Sequence, residues 1–269
     1  MEFLGFIINL LNAKMPEPSM YGWFHLLFLA LTVIATVFLC KRFKNPSEKT
    51  VRKIIFTISI LSIILEIYKQ FNYTFSYNDG VITADYQWYA FPFQFCSTPM
   101  YIGLLASLIK NKKVHTALCN YLATFSVFAG LVVMLYPPQV FIETIGINIQ
   151  TMICHGTMIV LGVYLFYSNY VKAENKTILS AAAVFTVCVV IAIIFNEIAN
   201  ITGLLERETF NMFYFSPYCE PSLPVYSLVQ QVVPYPLSLV IYILGFSLAA
   251  YIMLLVAMLF KKQKGKINE

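Results

Sequence analysis

The chain has 269 residues, 59% of them apolar and only 12% charged, with a mean hydropathy of +0.73, whereas a soluble domain carries roughly a quarter charged residues. No water-soluble fold can cover that much apolar surface, which excludes soluble enzymes and nucleic-acid binders and points to a multi-pass protein of the cell membrane. The net charge of +5, from 18 Lys and Arg against 13 Asp and Glu, sits between apolar runs and so carries topology information.

In chain order, residues 3–13 (FLGFIINLLN and Ala13) are too short to span and lack the features of a signal peptide, so an interfacial helix is expected. Seven segments then reach the roughly 20 apolar residues that a bilayer crossing needs: 22–40, 53–71, 91–109, 117–136, 147–168, 177–198 and 236–260. Lipid cannot satisfy backbone amides, so all seven must be helices. The expected fold is all-α: a single polytopic transmembrane domain over 1–269 with about seven spans. The connection 199–235 is the longest; its aromatic and proline content (NMFYFSPYCEPSLPVY, VVPYP) predicts a loop packed over the mouth of the bundle.

Orientation follows from the cations. Lys41, Arg42, Lys44, Lys49, Arg52, Lys53, Lys110, Lys112, Lys113, Lys172, Lys176, Lys261, Lys262, Lys264 and Lys266 fall on one side, fifteen of the eighteen. The alternate connections, 72–90, 137–146 and 199–235, hold only Arg207 against Asp79, Asp85, Glu143, Glu206, Glu208 and Glu220. The positive-inside rule then puts the N-terminus outside and the C-terminus in the cytoplasm. Six scattered cysteines without CxxC or Cys/His ligand spacing give no expectation of a disulfide framework, a metal or a cofactor.

Ionisable and polar groups within spans cost about 2.5–3.5 kcal/mol at the centre, so His25, Glu66, Lys69, Cys96, His155, Asn196 and Glu197 each ask for a reason. With the orientation above, all lie roughly 3–12 Å below the outer ends of their spans at 1.5 Å per residue. Polar groups at one depth describe a cavity opening outward, whereas a channel needs polar steps all the way across. Asn148, Thr151 and His155 fall at i, i+3 and i+7, one helix face. In FPFQFCSTPMY (Phe91–Tyr101), Pro92 suits a first helical turn, which sets Cys96 near a helix N-terminus, and Pro99 frees the Phe95 carbonyl. Singly, a membrane Cys packs and a membrane His is hydrogen-bonded structure. Together at one depth they make a nucleophile and base, since a His within reach activates a thiol. Cys154 points about 100° away from its neighbour His155 and is the poorer partner.

FPFQFCS (Phe91–Ser97) followed by an inward-facing His155 in TMICHGTMIV resembles the transmembrane protein 164 acyltransferases and their bacterial YwaF-type relatives. Asn211–Ser216 (NMFYFS), Pro221 with Ser222, and Val233–Pro236 (VPYP) are similar to that family's Asn-x-Met-Phe-Leu, Pro/Ser and Gly-Pro-Trp-Pro elements. Gln94 stands where many members carry His, and Val233 and Tyr235 replace Gly and Trp. The resemblance implies a Cys96 nucleophile and a His155 base moving a fatty acyl chain between a membrane phospholipid and a lysophospholipid, without acyl-CoA or any cofactor. Supporting candidates are Glu66 or Asn148 to orient His155, and Gln94, Asn196 or helix-end amides for the oxyanion; Asn211, Ser216 and Tyr235 are substrate-loop candidates. Three rival readings are a lipid or fatty-ester hydrolase, a non-enzymatic binding protein or transporter for an amphipathic ligand, and a structural Cys96–Cys219 disulfide.

Overall fold

The computed structural model describes residues 2–206 and 209–267, with side chains in the last helix described as far as Lys261. Arg207 and Glu208, counted above among the loop charges, lie outside the described residues, as do the side chains of Lys262, Lys264 and Lys266. In chain order the elements are α1 (Glu2–Leu11), α2 (Trp23–Arg42), α3 (Glu48–Asn72), β1 (Phe75–Asn78), β2 (Val81–Ala84), α4 (Thr98–Leu108), α5 (Lys112–Ala123) and α6 (Phe125–Leu135). They are followed by α7 (Ile145–Tyr167), α8 (Asn175–Ile201), α9 (Pro224–Val232) and α10 (Tyr235–Ile267).

Five stretches are long and apolar enough to cross a membrane: α2, the nearly continuous α5–α6 pair (24 residues), α7, α8 and α10. The chain is a helical membrane protein. Of the other two expected spans, 53–71 forms part of α3, which at 25 residues is long enough but is charged at both ends. The span expected at 91–109 keeps only its second half, the 11-residue α4, about 16 Å long. Its beginning is set by Pro99 in the first turn, where the missing amide costs nothing. A helix begun at Phe91 would carry Pro99 in its interior and break a backbone bond. Residues 91–97 are irregular instead, and Thr98 Oγ1 donates to the Phe95 carbonyl at 2.8 Å, satisfying the group that Pro99 cannot.

The chain is all-α as expected, with one small element beyond that expectation, a two-stranded antiparallel hairpin. Asp79 (φ 51°) and Gly80 (φ 82°) form the two-residue turn, and Asp-Gly is the pair that tolerates positive φ at both central positions. Against it lies α1, with Gly5 facing the Tyr77 ring and Asn12 Nδ2 donating to the Phe75 carbonyl.

Central to the bundle is α7, which packs against α2, α3, α5 and α6. Close approach is bought by small residues: a Cβ on Gly130 would stand 2.7 Å from the His155 carbonyl, and one on Gly156 would meet Thr32. Helix ends are capped locally. Ser47 accepts the Thr50 amide for α3, Asn111 accepts those of Lys113 and Val114 for α5, and Arg52 Nη1 donates to the carbonyls of Ala106, Ser107 and Ile109 at the C-terminal end of α4. A second layer of packing is aromatic. Phe95 contacts Phe185, Phe213 and Phe246, and Phe185 stacks on Phe125 at 4.7 Å; pairs of this kind add about 0.5–1.5 kcal/mol beyond burial.

The connection after α8 is packed, as its composition suggests. Met212, Phe213 and Phe215 are fully buried, and Phe213 (φ 61°) and Tyr214 (φ 58°) occupy the left-handed region consecutively, costing roughly 1–2 kcal/mol each. Such strain persists only where surroundings over-determine it. Here Gln94 brackets the segment by donating to the Asn211 carbonyl (3.0 Å) and accepting the Phe213 amide (2.8 Å). Asn196 does the same to Met212, donating to its carbonyl (3.1 Å) and accepting its amide (2.8 Å).

Candidate functional site

Three histidines sit in the bundle, all buried, and their hydrogen bonds separate them. At His25, the Tyr21 amide donates to Nδ1 (2.9 Å), so Nε2 carries the proton and donates to the Met134 carbonyl (2.8 Å). At His115, Nδ1 donates to the Ala106 carbonyl (2.7 Å), leaving Nε2 to accept from the Tyr170 hydroxyl (2.6 Å). Both rings are closed on both sides. His155 is different: Nδ1 donates to the Thr151 carbonyl one turn earlier (2.7 Å), which leaves the lone pair on Nε2. That nitrogen is buried and has no hydrogen-bond partner. A buried acceptor without a donor costs about 1–3 kcal/mol, and among the three histidines His155 has the ring nitrogen still open to one.

Beside it, on α3, Glu66 organises a polar cluster. Its Oε1 accepts from Lys69 Nζ (2.9 Å) and Gln70 Nε2 (2.6 Å), and its Oε2 from Gln150 Nε2 (3.3 Å). Gln150 lies one turn before Cys154 and donates to its sulfur at 3.6 Å; Thr151 Oγ1 reaches Gln150 Oε1 at 3.4 Å. Lys69 and Glu66 lie near enough to Cys96 and Cys154, and Lys69 to His155, for their charges to be felt there. No hydrogen bond joins His155 Nε2 to Cys96; in a ligand-free site such contacts are often long.

Cys96 stands just before Ser97, the N-cap of α4, so it precedes a helix start, one or two residues outside it, where the sequence places it inside. The Ser97 and Thr98 amides both donate to the Gln94 carbonyl (2.8 and 3.2 Å), so they are in use.

The remaining expected residues do other work. Gln94 and Asn196 hold residues 211–213 as described, and Asn211 Oδ1 accepts the Ser216 amide (2.9 Å), which closes the same loop. Asn148 brackets Ile142, accepting its amide and donating to its carbonyl, and does not touch His155; the group that orients that ring is the Thr151 carbonyl. Tyr235 opens α10 with its hydroxyl buried and unpartnered. Cys96 and Cys219 are both free thiols in the structure, and Cys219 Sγ donates to the Phe210 carbonyl at 3.5 Å. In the sequence Lys69 stands out only as a polar residue within a span. The sequence mark of Gln150 is its i, i+4 spacing to Cys154, on a different face from Thr151 and His155.

A ≈ 630 Å³ cleft opens between Trp88, Phe91, Phe195, Ile198, Leu204 and Phe210, with Phe91 belonging to the Cys96 segment. Among the described residues no group of three or more His, Cys, Asp or Glu is placed to hold a metal.

A family model described as the TMEM164 family matches residues 20–259. No curated protein and no solved structure matches the chain.

Proposed function

The chain belongs to the TMEM164 family, and on that premise we propose that it is a phospholipid acyltransferase of the bacterial YwaF type, working through Cys96 and His155 without acyl-CoA. The observation that carries this reading is the buried Nε2 of His155, unpartnered and held in its basic tautomer by the Thr151 carbonyl. In the first half-reaction the Cys96 thiol gives its proton to Nε2 as sulfur attacks an ester carbonyl of a membrane phospholipid. The C–O bond breaks, the departing lysolipid oxygen takes the proton back from His155, and an acyl-thioester remains on Cys96. In the second, a lysolipid hydroxyl passes its proton to Nε2 and attacks the thioester, and the released thiolate recovers that proton.

The irregular backbone at 91–97 supports the same reading. Non-helical backbone at membrane depth is tolerated only inside protein or beside a cavity, and here it presents Cys96. In this proposal α3 and α4 complete seven crossings, the hairpin and the 199–235 connection face outward, and lipid enters from the outer leaflet, with the apolar cleft beside Phe91 holding acyl chain.

The test is detection of a hydroxylamine-sensitive acyl adduct on Cys96 of the unsubstituted chain by intact-mass measurement, with phospholipid donor supplied and lysolipid acceptor withheld, together with transfer of labelled lysolipid into diacyl lipid once the acceptor is added. Full lipid remodelling by Cys96→Ala would sink the mechanism. Release of free fatty acid with no label in diacyl lipid would make the protein a hydrolase.

A further inference from the structure

The proposed transfer employs Cys96 and His155 but not the ion pair beside them, and that pair is unevenly satisfied. Glu66 has three donors on its two oxygens, and Gln70, one of those donors, is itself fixed by the Ala90 carbonyl and the Tyr86 hydroxyl. The carboxylate is well supplied with donors on both oxygens. Lys69, by contrast, has a single side-chain hydrogen bond among the described residues, the one to Glu66, and its side chain keeps 18% of its exposure. An ammonium has three N–H donors, so two are left to point elsewhere.

Position says where. Asn72 ends α3, so Lys69 lies about 4.5 Å below that end, and Glu66 about 4.5 Å deeper still, at 1.5 Å per residue. From Glu66 the network continues through Gln150 to the turn of α7 that carries Cys154 and His155. The cation is thus the shallow end of a polar strip whose deep end is the candidate base. In a glycerophospholipid the phosphodiester lies a few bonds above the acyl esters, in the same vertical order.

We infer that Lys69 anchors the phosphodiester of the lipid substrate, its two free N–H groups taking phosphate oxygens while a glycerol ester reaches down to the Cys96–His155 level. The assignment rests on the acyl-transfer reading for the identity of the deeper site. Lys binds phosphate as a compact point charge, and neutral glycerides, which lack that anion, are discriminated against.

Binding measured apart from turnover tests this. The full chain carrying Cys96→Ala, in nanodiscs, is titrated with a fluorescent-tailed lysophosphatidylglycerol and with a monoacylglycerol bearing the same tail. The phosphate-bearing probe is expected to bind about tenfold more tightly, the size of one charged hydrogen-bonded contact. Adding Lys69→Gln with Glu66→Gln, which leaves no lone buried charge, removes that preference and leaves monoacylglycerol binding within about twofold, which also reports that the variant is folded. Lys69→Arg keeps the preference.

Equal binding of the two probes by the parent chain, or a preference that survives in the double variant, overturns the assignment. So does displacement of the lipid probe by glycerol 3-phosphate at equal concentration, which would give the cation to a soluble anion. The adduct assay on unsubstituted Cys96 is scored separately: a Lys69-dependent preference with no adduct keeps the anchor and discards the transferase, and an adduct with no such preference does the reverse.

Discussion

Two Cys–His pairs occur in this bundle, and the closer one is the less capable. At the lysine-rich end, Cys119 lies four residues after His115 on α5, its sulfur 3.6 Å from Nε2. Yet Cys119 is 1% exposed within the apolar core, and His115 is held at both nitrogens. At the hairpin end, Cys96 and His155 are not hydrogen-bonded, but the histidine has a free, basic nitrogen and the cysteine interrupts the helical order around it. Proximity alone marks packing. An unsatisfied buried acceptor near an ion pair is the feature on which the proposed site rests.

The sharpest way to break that contrast is activity. His155→Ala is expected to lower acyl transfer about 10²–10⁴-fold, the span attributed to a positioned general base; it gives up the ring's packing and its bond to the Thr151 carbonyl but also removes an unpaired acceptor, so activity falls far more than stability. His115→Ala should leave transfer within a few-fold and destabilise the bundle by about 1–3 kcal/mol, the cost of losing both ring hydrogen bonds and leaving the half-buried Tyr170 hydroxyl without its acceptor, while the Ala106 carbonyl keeps Arg52. Equal losses of activity in the two variants would abolish the distinction between the sites.

Next in size is the latch on the aromatic loop. Asn196→Ala strands both the amide and the carbonyl of Met212, buried groups each worth about 1–3 kcal/mol. Hydrogen exchange at residues 211–216 should accelerate, with faster proteolytic cutting there. Gln94→Ala is expected to do the same through Asn211 and Phe213. If either variant instead lowers turnover with the loop still protected, the oxyanion role first read for Gln94 and Asn196 regains its footing.

How far the sequence reveals this arrangement depends on the kind of interaction. Apolar length shows the five long helices, because hydrophobic burial in lipid is additive along a segment. It overextends the helix at 91–109, although Pro99 was visible and a proline is more at ease in a first turn than in an interior one. The hairpin was equally visible in FSYNDGVITA, with β-branched alternation about Asp-Gly. The His115–Cys119 contact follows from i, i+4 spacing. By contrast, the roles of Gln94, Asn148 and Asn196 were not legible. A side-chain amide that mimics a strand edge for a distant loop leaves no local pattern, since its partners at Asn211, Ile142 and Met212 are backbone atoms with no sequence identity to read. The tautomer of His155 is set by such a backbone atom too.

The smallest expected effect bears on why that loop is strained at all. Tyr214 holds φ 58° with its side chain 44% exposed, and of the non-glycine residues Asn adopts this conformation most readily. Tyr214→Asn keeps the backbone path while relieving up to about 1 kcal/mol of strain. Were the strain only a by-product of packing Phe213 into the aromatic core, exchange at 211–216 would slow slightly and transfer would stay the same. Loss of transfer together with slower exchange would mean that the loop must open during turnover. The left-handed pair at 213–214 would then belong to the working site, lowering the energy needed to lift the loop away from the Cys96 segment, which it touches through the Phe95 and Phe213 rings.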